Sequence, residues 1–168
     1  MTHPVENSGD SKKSKSGSGY DIAPMAPALI AGLARTLTAE ERRVLLEHGT
    51  ERPFCGLLLE NKEEGVYACR LCGLPLFRSA AKFESGTGWP SFTEPFDPEH
   101  IGYFEDRSSG MRRIEIRCKR CAGHLGHVFE DGPPPTGLRH CLNSVSLEFF
   151  KMGEELPRRV ASDPVKPG

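Results

Sequence analysis

The chain has 168 residues, with 22 lysines and arginines against 23 aspartates and glutamates, which gives a net charge of −1. This length suffices for one domain with a substantial core. The balanced charge argues against nucleic acid or an anionic membrane as a partner, because both require a basic excess. No apolar run approaches the roughly 20 residues of a membrane span. The 18 glycines and 14 prolines favour turns and short strands over long helices.

The N-terminal region combines a polar tail with a short apolar segment. Residues 1–20 are rich in Ser, Lys and Gly, and we predict a disordered tail there. Residues 21–36 are predicted to be a surface extension of the domain. The apolar run within them follows lysines, as in a signal peptide, but Pro27 and Gly32 interrupt it and acidic residues precede it. We therefore predict a cytoplasmic protein.

One helix is predicted to begin at a capping box. The Thr38 hydroxyl can accept a hydrogen bond from the Glu41 N–H, and the Glu41 carboxylate can accept one from the Thr38 N–H. The helix is expected to run for about three turns and to end at Gly49, a residue suited to the left-handed position after a helix.

Short strands are predicted for most of the remaining chain. Turn residues separate segments of β composition or period-two alternation, which are 66–68, 74–77, 91–95, 103–107, 113–117, 128–129 and 144–150. This pattern predicts a mainly β fold of antiparallel strands joined by loops. The charged, proline-containing segment 153–168 is predicted to be a frayed C-terminal tail.

Four of the six cysteines form two Cys-x-x-Cys pairs, which are Cys69 with Cys72 and Cys118 with Cys121. Each pair places two thiolates on one tight turn, and together they predict a closed, structural zinc site of four thiolates. The alternative of two redox dithiols would require a βαβ unit that the pattern does not contain. Zinc is preferred to iron because a closed thiolate site has no redox demand. Four cysteines already complete the tetrahedral site, so no histidine ligand is needed.

The other two cysteines, Cys55 and Cys141, belong to neither pair. Cys141 follows a turn and precedes a predicted strand. Alternation along an extended chain puts Arg139 and Asn143 on the same face as Cys141, and His140 on the opposite face. A neighbouring cation favours the thiolate and would lower the pKa of Cys141. The alternative is a buried structural cysteine.

Several motifs in one order resemble those of the B-type peptide methionine sulfoxide reductases. They cover about 37–151 and comprise GTERPF at 49–54, SGTGWPSF at 85–92, HLGHVF at 124–129, DGPPPTG at 131–137, RHCLNS at 139–144 and both cysteine pairs. The resemblance implies coiled antiparallel β-sheets with short N-terminal helices, and a catalytic domain over 37–152. It also implies thioredoxin-driven reduction of methionine-(R)-sulfoxide, in oxidised proteins or peptides or free. We further predict a monomer.

The resemblance implies a chemical role for the residues around the reactive cysteine. Cys141 would attack the sulfoxide sulfur and become a sulfenic acid as methionine leaves. A sulfoxide is a poor electrophile until its oxygen is protonated or hydrogen-bonded. His124, His127 and Asp131 are the candidates for proton delivery and oxygen positioning. Each histidine could instead be an ordinary core residue.

The remaining residues that the resemblance assigns to the pocket orient the site or contact the substrate. Arg139 and Asn143 would tune and orient the cysteine. Trp89 and Phe129 would contact the substrate, with Trp89 as an apolar wall for the S-methyl group. The alternative for Trp89 is a core tryptophan.

The sequence departs from the family at the position of the second redox thiol. Many relatives have a resolving cysteine where this chain has Thr87, which cannot form a disulfide. The cysteine left is Cys55, which resembles an alternative resolving position. We predict a Cys55–Cys141 disulfide during turnover, followed by exchange with thioredoxin. The alternative is an inert Cys55 and direct reduction by an external thiol. His140 and Glu130 also replace residues usual in the family.

Two rival functions remain at the level of sequence. The first is a zinc-ribbon interaction module in which Cys141 is structural, and fast alkylation of Cys141 in the folded protein would argue against it. The second is a thiol peroxidase, which also uses a sulfenic acid but leaves a tryptophan-walled pocket harder to explain.

Overall fold

The computed structural model describes residues 14–157 and 159–164. In these ranges the chain forms two helices and nine strands. The helices are α1 (Pro27–Ala34) and α2 (Ala39–Leu45), and the strands are β1 (Gly65–Cys69), β2 (Pro75–Arg78), β3 (Lys82–Phe83), β4 (Ser91–Phe92), β5 (Ile101–Asp106), β6 (Arg113–Cys118), β7 (His124–Phe129), β8 (Arg139–Leu142) and β9 (Leu147–Lys151). The prediction of a mainly β fold with short N-terminal helices is confirmed. Neither helix is long and apolar enough to cross a membrane.

The strands form two antiparallel sheets that share one core. The first sheet has the order β2-β1-β9, and the second has the order β3-β4-β8-β7-β6-β5. Tyr67 of the first sheet packs against Phe92 of the second, with ring centroids 5.0 Å apart. Phe77 stacks on Phe92 at 4.6 Å. Each such aromatic pair contributes about 1 kcal/mol beyond the burial of its apolar area, so these rings hold the sheets together.

Helix α2 begins at the predicted capping box. The Thr38 Oγ1 accepts from the Glu41 N–H at 3.1 Å, and the Glu41 Oε1 accepts from the Thr38 N–H at 2.8 Å. The helix has 7 residues, about two turns, so it is shorter than predicted. The left-handed residue after it is His48, with φ 57°, rather than Gly49. The His48 Nδ1 lies 2.7 Å from Glu115 Oε2.

Several strand boundaries differ from the prediction. Cys141 lies inside β8 rather than before a strand, because β8 pairs with both β4 and β7. Strand β7 begins at His124 rather than at residue 128, while β4 ends at Phe92 rather than at residue 95. The segment predicted over 144–150 opens with a turn of 3-10 helix before β9. The pairings of β8 are long-range, whereas β7 begins where His124 pairs with Arg117 of the adjacent strand and the 3-10 turn is closed locally by the Ser146 N–H on the Asn143 carbonyl at 3.0 Å.

Both ends of the described chain pack against the domain. Residues 1–13 of the predicted tail lie outside the described residues, but Tyr20 is 1% exposed and Ser18 donates to Asp97 Oδ2 at 2.7 Å. In the predicted frayed tail, Asp163 accepts two hydrogen bonds of 2.8 Å from the buried Arg120. A buried guanidinium requires a counter-charge, so this pair gives the C-terminal segment a fixed place.

Candidate active site and metal centre

Cys141 lies on β8, in the interior of the six-stranded sheet. It is directly opposite His127 on β7 and Ser91 on β4. Alternation along β8 turns the half-buried Arg139 and Cys141 to one side, and His140 and Leu142 to the core. A central strand is restrained on both edges, so the position of this thiol is fixed by the sheet rather than by a loop.

A cavity of about 220 Å³ opens beside the Cys141 thiol. It is lined by Thr50, Thr87, Trp89, Arg113, Gly126, His127, Phe129, Arg139, Cys141, Leu142 and Asn143. The lining combines two aromatic rings, two guanidinium groups and one imidazole around a single thiol. A larger cavity of about 430 Å³ shares Trp89 with the first but does not include Cys141. The smaller cavity is therefore the candidate active site.

Burial favours the neutral form of the Cys141 thiol. Burial raises the pKa of Cys141 above its ordinary value, and the charge of Arg139 with hydrogen bonds from Thr87 and Arg139 offsets only part of this effect. The expectation of a lowered pKa is therefore wrong for the protein without substrate. Desolvation of the thiolate outweighs the nearby cation.

His127 faces the cavity and is oriented by an acidic residue that the sequence did not indicate. Its Nε2 lies 2.7 Å from Asp106 Oδ2, and Asp106 is also bound by Arg113 at 3.3 Å. Burial lowers the pKa of His127 more than Asp106 raises it. The ring is neutral at neutral pH, with its proton on Nε2 toward the carboxylate.

His124 lies behind His127, away from the cavity lining. Its ring is 5.5 Å from that of His127 at 69°, and it is 2% exposed. Its Nδ1 contacts Glu115 Oε2 at 2.5 Å. The structure thus places His124 where it can support His127 but not where it lines the cavity.

Asp131 contacts the cavity only through Arg139. Arg139 donates to both Asp131 oxygens, at 2.9 and 3.1 Å, and its guanidinium lies 4.4 Å from the centre of the Phe129 ring. The hydrogen bonds from Arg139 lower the pKa of Asp131. A bidentate pair combined with a stacked ring fixes the plane of the guanidinium beside the thiol.

Trp89 and Asn143 are both held by Glu51, another residue that sequence reasoning missed. The Trp89 Nε1 donates to the Glu51 carbonyl at 3.0 Å, and the Glu51 N–H donates to Asn143 Oδ1 at 2.9 Å. The Glu51 carboxylate accepts from the Val145 N–H at 3.0 Å. Glu51 lies within the GTERPF segment, but its contacts depend on long-range folding.

Cys55 lies on an exposed loop and does not line the cavity. Its neighbour Phe54 has φ 65° and donates its N–H to the Gly88 carbonyl at 2.7 Å. This hydrogen bond ties the Cys55 loop to the loop that contains Trp89. Both Cys55 and Cys141 are free thiols in this structure.

The two Cys-x-x-Cys turns come together at one point between the sheets. Cys69 and Cys121 have their sulfurs 3.6 Å apart, and Cys72 and Cys118 have theirs 3.5 Å apart. All four sulfurs lie within 4.8 Å of one another and are buried. The Gly123 N–H points at the Cys121 sulfur at 3.4 Å, as expected for a thiolate. Four buried thiols in this arrangement fit a metal ion, and the donor set suits zinc.

The chain belongs to the family of the SelR domain. The family model with that description matches residues 37–151, which is more than half of the chain. This match covers the site and both cysteine pairs, so the family inferred from the motifs is confirmed.

Named relatives of the chain are reductases. The chain is 61% identical to the peptide methionine sulfoxide reductase MsrB of Caulobacter vibrioides over 142 residues, which is 84% of this chain and 89% of the relative. It is 60% identical to the MsrB of Xylella fastidiosa over 138 residues, 82% of this chain and 89% of the relative. The MsrB of Escherichia coli is 55% identical over 126 residues, 74% and 92% of the two chains. The relatives' names describe reductases, so the predicted enzyme class, an oxidoreductase, is confirmed.

Proposed function

We propose that this protein reduces methionine-(R)-sulfoxide, in oxidised proteins and peptides or free, to methionine. The observation that supports this most directly is the position of Cys141 on a central strand, opposite His127 and beside the ring of Trp89. A thiol, a proton-carrying group and an apolar wall are what sulfoxide reduction requires. The names of the relatives agree with this reaction.

The first step transfers one oxygen from the substrate to Cys141. The sulfur of Cys141 attacks the sulfoxide sulfur, and the thiol proton passes to the sulfoxide oxygen. The oxygen then moves to Cys141 as the methionine sulfur is released. The substrate sulfur is reduced by two electrons and Cys141 is oxidised by two, to a sulfenic acid. Because burial raises the pKa of Cys141, the thiol itself can supply the proton that the sulfoxide oxygen needs.

The polar residues of the cavity position that proton and the oxygen. His127 faces the cavity and is oriented by Asp106, so it can relay the proton between thiol and oxygen. Arg139, fixed by Asp131, stabilises negative charge on the thiol or the oxygen. His124 acts from behind His127, and Asn143 holds the loop of Glu51 in place.

The apolar part of the cavity binds the methyl and methylene groups of the substrate. Trp89 and Phe129 both line the cavity. Sulfur and its attached methyl pack well against aromatic rings. A pocket that holds the methyl against Trp89 and the oxygen toward Arg139 and His127 accepts only one of the two epimers, and the names of the relatives do not contradict the R epimer.

The sulfenic acid is resolved by the second thiol in our proposal. Cys55 attacks the Cys141 sulfur, which forms a disulfide and releases water, and a thioredoxin dithiol then reduces the disulfide. The Cα atoms of a disulfide usually lie roughly 4.4–6.8 Å apart. Cys55 is exposed and does not line the cavity, so in our proposal the loop between Arg52 and Gly56 moves to bring it to Cys141.

Zinc in the four-cysteine site has a structural role in this proposal. Cys69, Cys72, Cys118 and Cys121 would hold it, and four thiolates leave no position for substrate. We also propose that residues 37–152 form the catalytic domain of a cytoplasmic monomer.

A single-turnover experiment tests the proposal. The purified chain, Cys141→Ser and Cys55→Ser are each mixed with a methionine sulfoxide peptide, without reductant, and the two sulfur epimers are quantified. We expect consumption of the R epimer alone by the wild type and by Cys55→Ser, and none by Cys141→Ser. Only the wild type should then show a Cys55–Cys141 disulfide by mass spectrometry.

The outcomes separate the parts of the proposal. Full thioredoxin-driven turnover by Cys55→Ser would show that an external thiol resolves the sulfenic acid. No consumption of either epimer by the folded, zinc-loaded wild type would overturn the proposed reaction.

A further inference from the structure

A second cluster of metal-ligating side chains lies apart from the four cysteines. His48 lies in the segment after helix α2, and Glu115 and His124 lie on the adjacent strands β6 and β7. One ligand atom from each residue lies within 4.8 Å of the other two. The cluster shares no residue with the cysteine site.

The three side chains converge on one carboxylate oxygen. His48 Nδ1 lies 2.7 Å from Glu115 Oε2, and His124 Nδ1 lies 2.5 Å from the same atom. Arg117 binds the other oxygen, Oε1, at 2.9 Å through its Nε. Arg117 therefore fixes the carboxylate plane and leaves Oε2 to the two imidazoles, which is how an outer residue orients a metal-binding carboxylate.

The environment of the carboxylate suits a cation. The Glu115 side chain is only 6% exposed, and the Arg117 Nη2 lies 2.8 Å from its Oε1. A buried carboxylate needs partners of opposite charge or hydrogen-bond donors, and on Oε2 a metal ion can take that place.

His48 makes the cluster accessible. Its side chain is 49% exposed, so an ion and its water ligands can reach Oε2 from solvent. Its backbone has φ 57°, a conformation that costs a side chain other than Gly or Asn roughly 1–2 kcal/mol. The chain has a glycine at the next position, yet the left-handed residue is the one whose imidazole reaches Glu115.

We propose that His48, Glu115 and His124 form a second metal site that binds one zinc-like divalent transition-metal ion. The ligands are the two Nδ1 atoms and Oε2, with water in the open position. Two imidazoles and one carboxylate are a ligand set typical of zinc with an open position. Each imidazole moves its proton from Nδ1 to Nε2 on binding, so the ion replaces two hydrogen bonds to the carboxylate.

The rearrangement required is small. Ligand atoms on one tetrahedral zinc ion lie about 3.3 Å apart, given metal–ligand bonds of about 2.0–2.1 Å. Each imidazole nitrogen must therefore retreat from Oε2 by less than about 1 Å. The exposed His48 side chain can do so by rotation, whereas His124, which is 2% exposed, has to shift within the core.

Titration with cobalt and zinc tests the site by ion binding, independently of reductase activity. The protein is first loaded with zinc at the four cysteines, and Co²⁺ is then added. We expect one further equivalent, with weak visible ligand-field bands and no intense thiolate charge-transfer absorption in the near ultraviolet. Calorimetry with Zn²⁺ should give the same stoichiometry.

The matched variant is His48→Asn, because asparagine tolerates the left-handed backbone but lacks the imidazole. We expect it to bind the further ion at least about tenfold more weakly, with unchanged zinc at the four cysteines. A second measurement uses the wild type alone. In its NMR spectrum, Zn²⁺ should shift the ring-nitrogen resonances of His48 and His124 but not those of His100 and His140.

Three results would overturn the proposal. The first is no further equivalent in the wild type. The second is equal affinity in a folded His48→Asn, or unmoved resonances of His48 and His124. The third is strong thiolate charge transfer without release of zinc, which would assign the added ion to Cys55 or Cys141.

Discussion

The residues around Cys141 act through partners that hold them at fixed angles. The neutral His127 ring keeps its proton toward Asp106, and Arg139 keeps its plane through Asp131 and Phe129. These contacts restrict the orientations that both side chains can take. The chemistry proposed here therefore depends on carboxylates that do not themselves line the cavity.

Replacing Asp106 tests this dependence. In Asp106→Asn the charged carboxylate that accepts the hydrogen bond from His127 Nε2 is replaced by a neutral amide. The amide no longer holds the proton on Nε2, so we expect the single-turnover rate to fall about tenfold or more. The pH profile of the rate should change as well, because the carboxylate no longer raises the pKa of His127. Glu105→Gln on the same strand, which removes only exposed ion pairs, is the control. An unchanged rate and profile in Asp106→Asn would contradict a positioning role.

His140 gives the protein a predictable sensitivity to acid. It is fully buried, and burial lowers its pKa to about 4, below the ordinary 6.5. As the pH falls, the unfolded chain takes up a proton before the folded one does. The contribution of the neutral ring to the free energy of unfolding is thus fully present above about pH 6.5 and is lost as the pH falls toward about 4. The total loss is roughly 3 kcal/mol.

His140→Phe should therefore flatten the pH dependence of folding. Between about pH 7.5 and about pH 5, the free energy of unfolding measured with urea should fall by about 2 kcal/mol less in the variant than in the wild type. Tyr103→Phe breaks the 2.8 Å hydrogen bond to the same ring but keeps the titrating group, so it should retain the wild-type dependence. Equal slopes in His140→Phe and wild type would exclude this source of acid sensitivity.

At the scale of elements, the loop that holds Trp89 depends on a close approach of two loops. Gly88 has φ +92°, and a Cβ placed there would meet the Pro53 Cβ at 2.7 Å and the Phe54 ring at 2.9 Å. The sequence Gly-Trp-Pro indicates a rigid loop, but only the packed structure shows which segment it packs against. The same contact joins the loop of Trp89, the proposed substrate wall, to the loop of the proposed resolving cysteine.

Gly88→Ala should displace both loops. We expect a loss of about 1–3 kcal/mol in unfolding free energy together with weaker substrate binding and slower disulfide formation in the single-turnover assay. Gly86→Ala is the matched control, since Gly86 has a similar φ of +74° but nothing within 4 Å of an added Cβ. If both variants behave alike, backbone strain rather than the loop contact is responsible.

At the scale of the whole molecule, the four cysteines join the two sheets. Cys69 and Cys72 lie at the turn between β1 and β2, whereas Cys118 and Cys121 lie at the turn between β6 and β7. An ion bound by all four ties distant parts of the chain together. The C-terminal segment closes over the same region, where Arg120 donates to the Cys72 carbonyl at 2.7 Å and pairs with Asp163.

Removal of the metal should therefore destabilise the whole fold. In Cys118→Ser, or after treatment with a strong chelator, we expect unfolding free energy to drop by about 5 kcal/mol or more, because metal binding and folding are coupled. Chemical denaturation with metal analysis measures this. Cys55→Ser, an exposed thiol, should change stability by less than about 0.5 kcal/mol. A metal-free protein with undiminished stability would show that packing alone joins the sheets.

The sequence by itself determined the local features and the chemical groups of this protein. Three features could be predicted because each depends on residues close together in the chain. They are the capping box of Thr38 and Glu41, the antiparallel β character and the two cysteine pairs. The family motifs similarly indicated Cys141 and its candidate partners, whose roles stay predictions. Short-range sterics and hydrogen bonding set such features, so a linear pattern is enough to predict them.

Only the tertiary structure decided which distant groups meet. Asp106 contacts His127 across 21 positions of sequence, and Glu115 contacts His124 across 9. The Glu51 carbonyl accepts from Trp89 across 38 positions. No spacing rule predicts these pairings. The burial of Cys141 likewise reversed the expected direction of its pKa, because desolvation depends on everything that packs around a thiol. Contacts of this kind are fixed by strand register and by the closing of loops, which the order of residues alone does not specify.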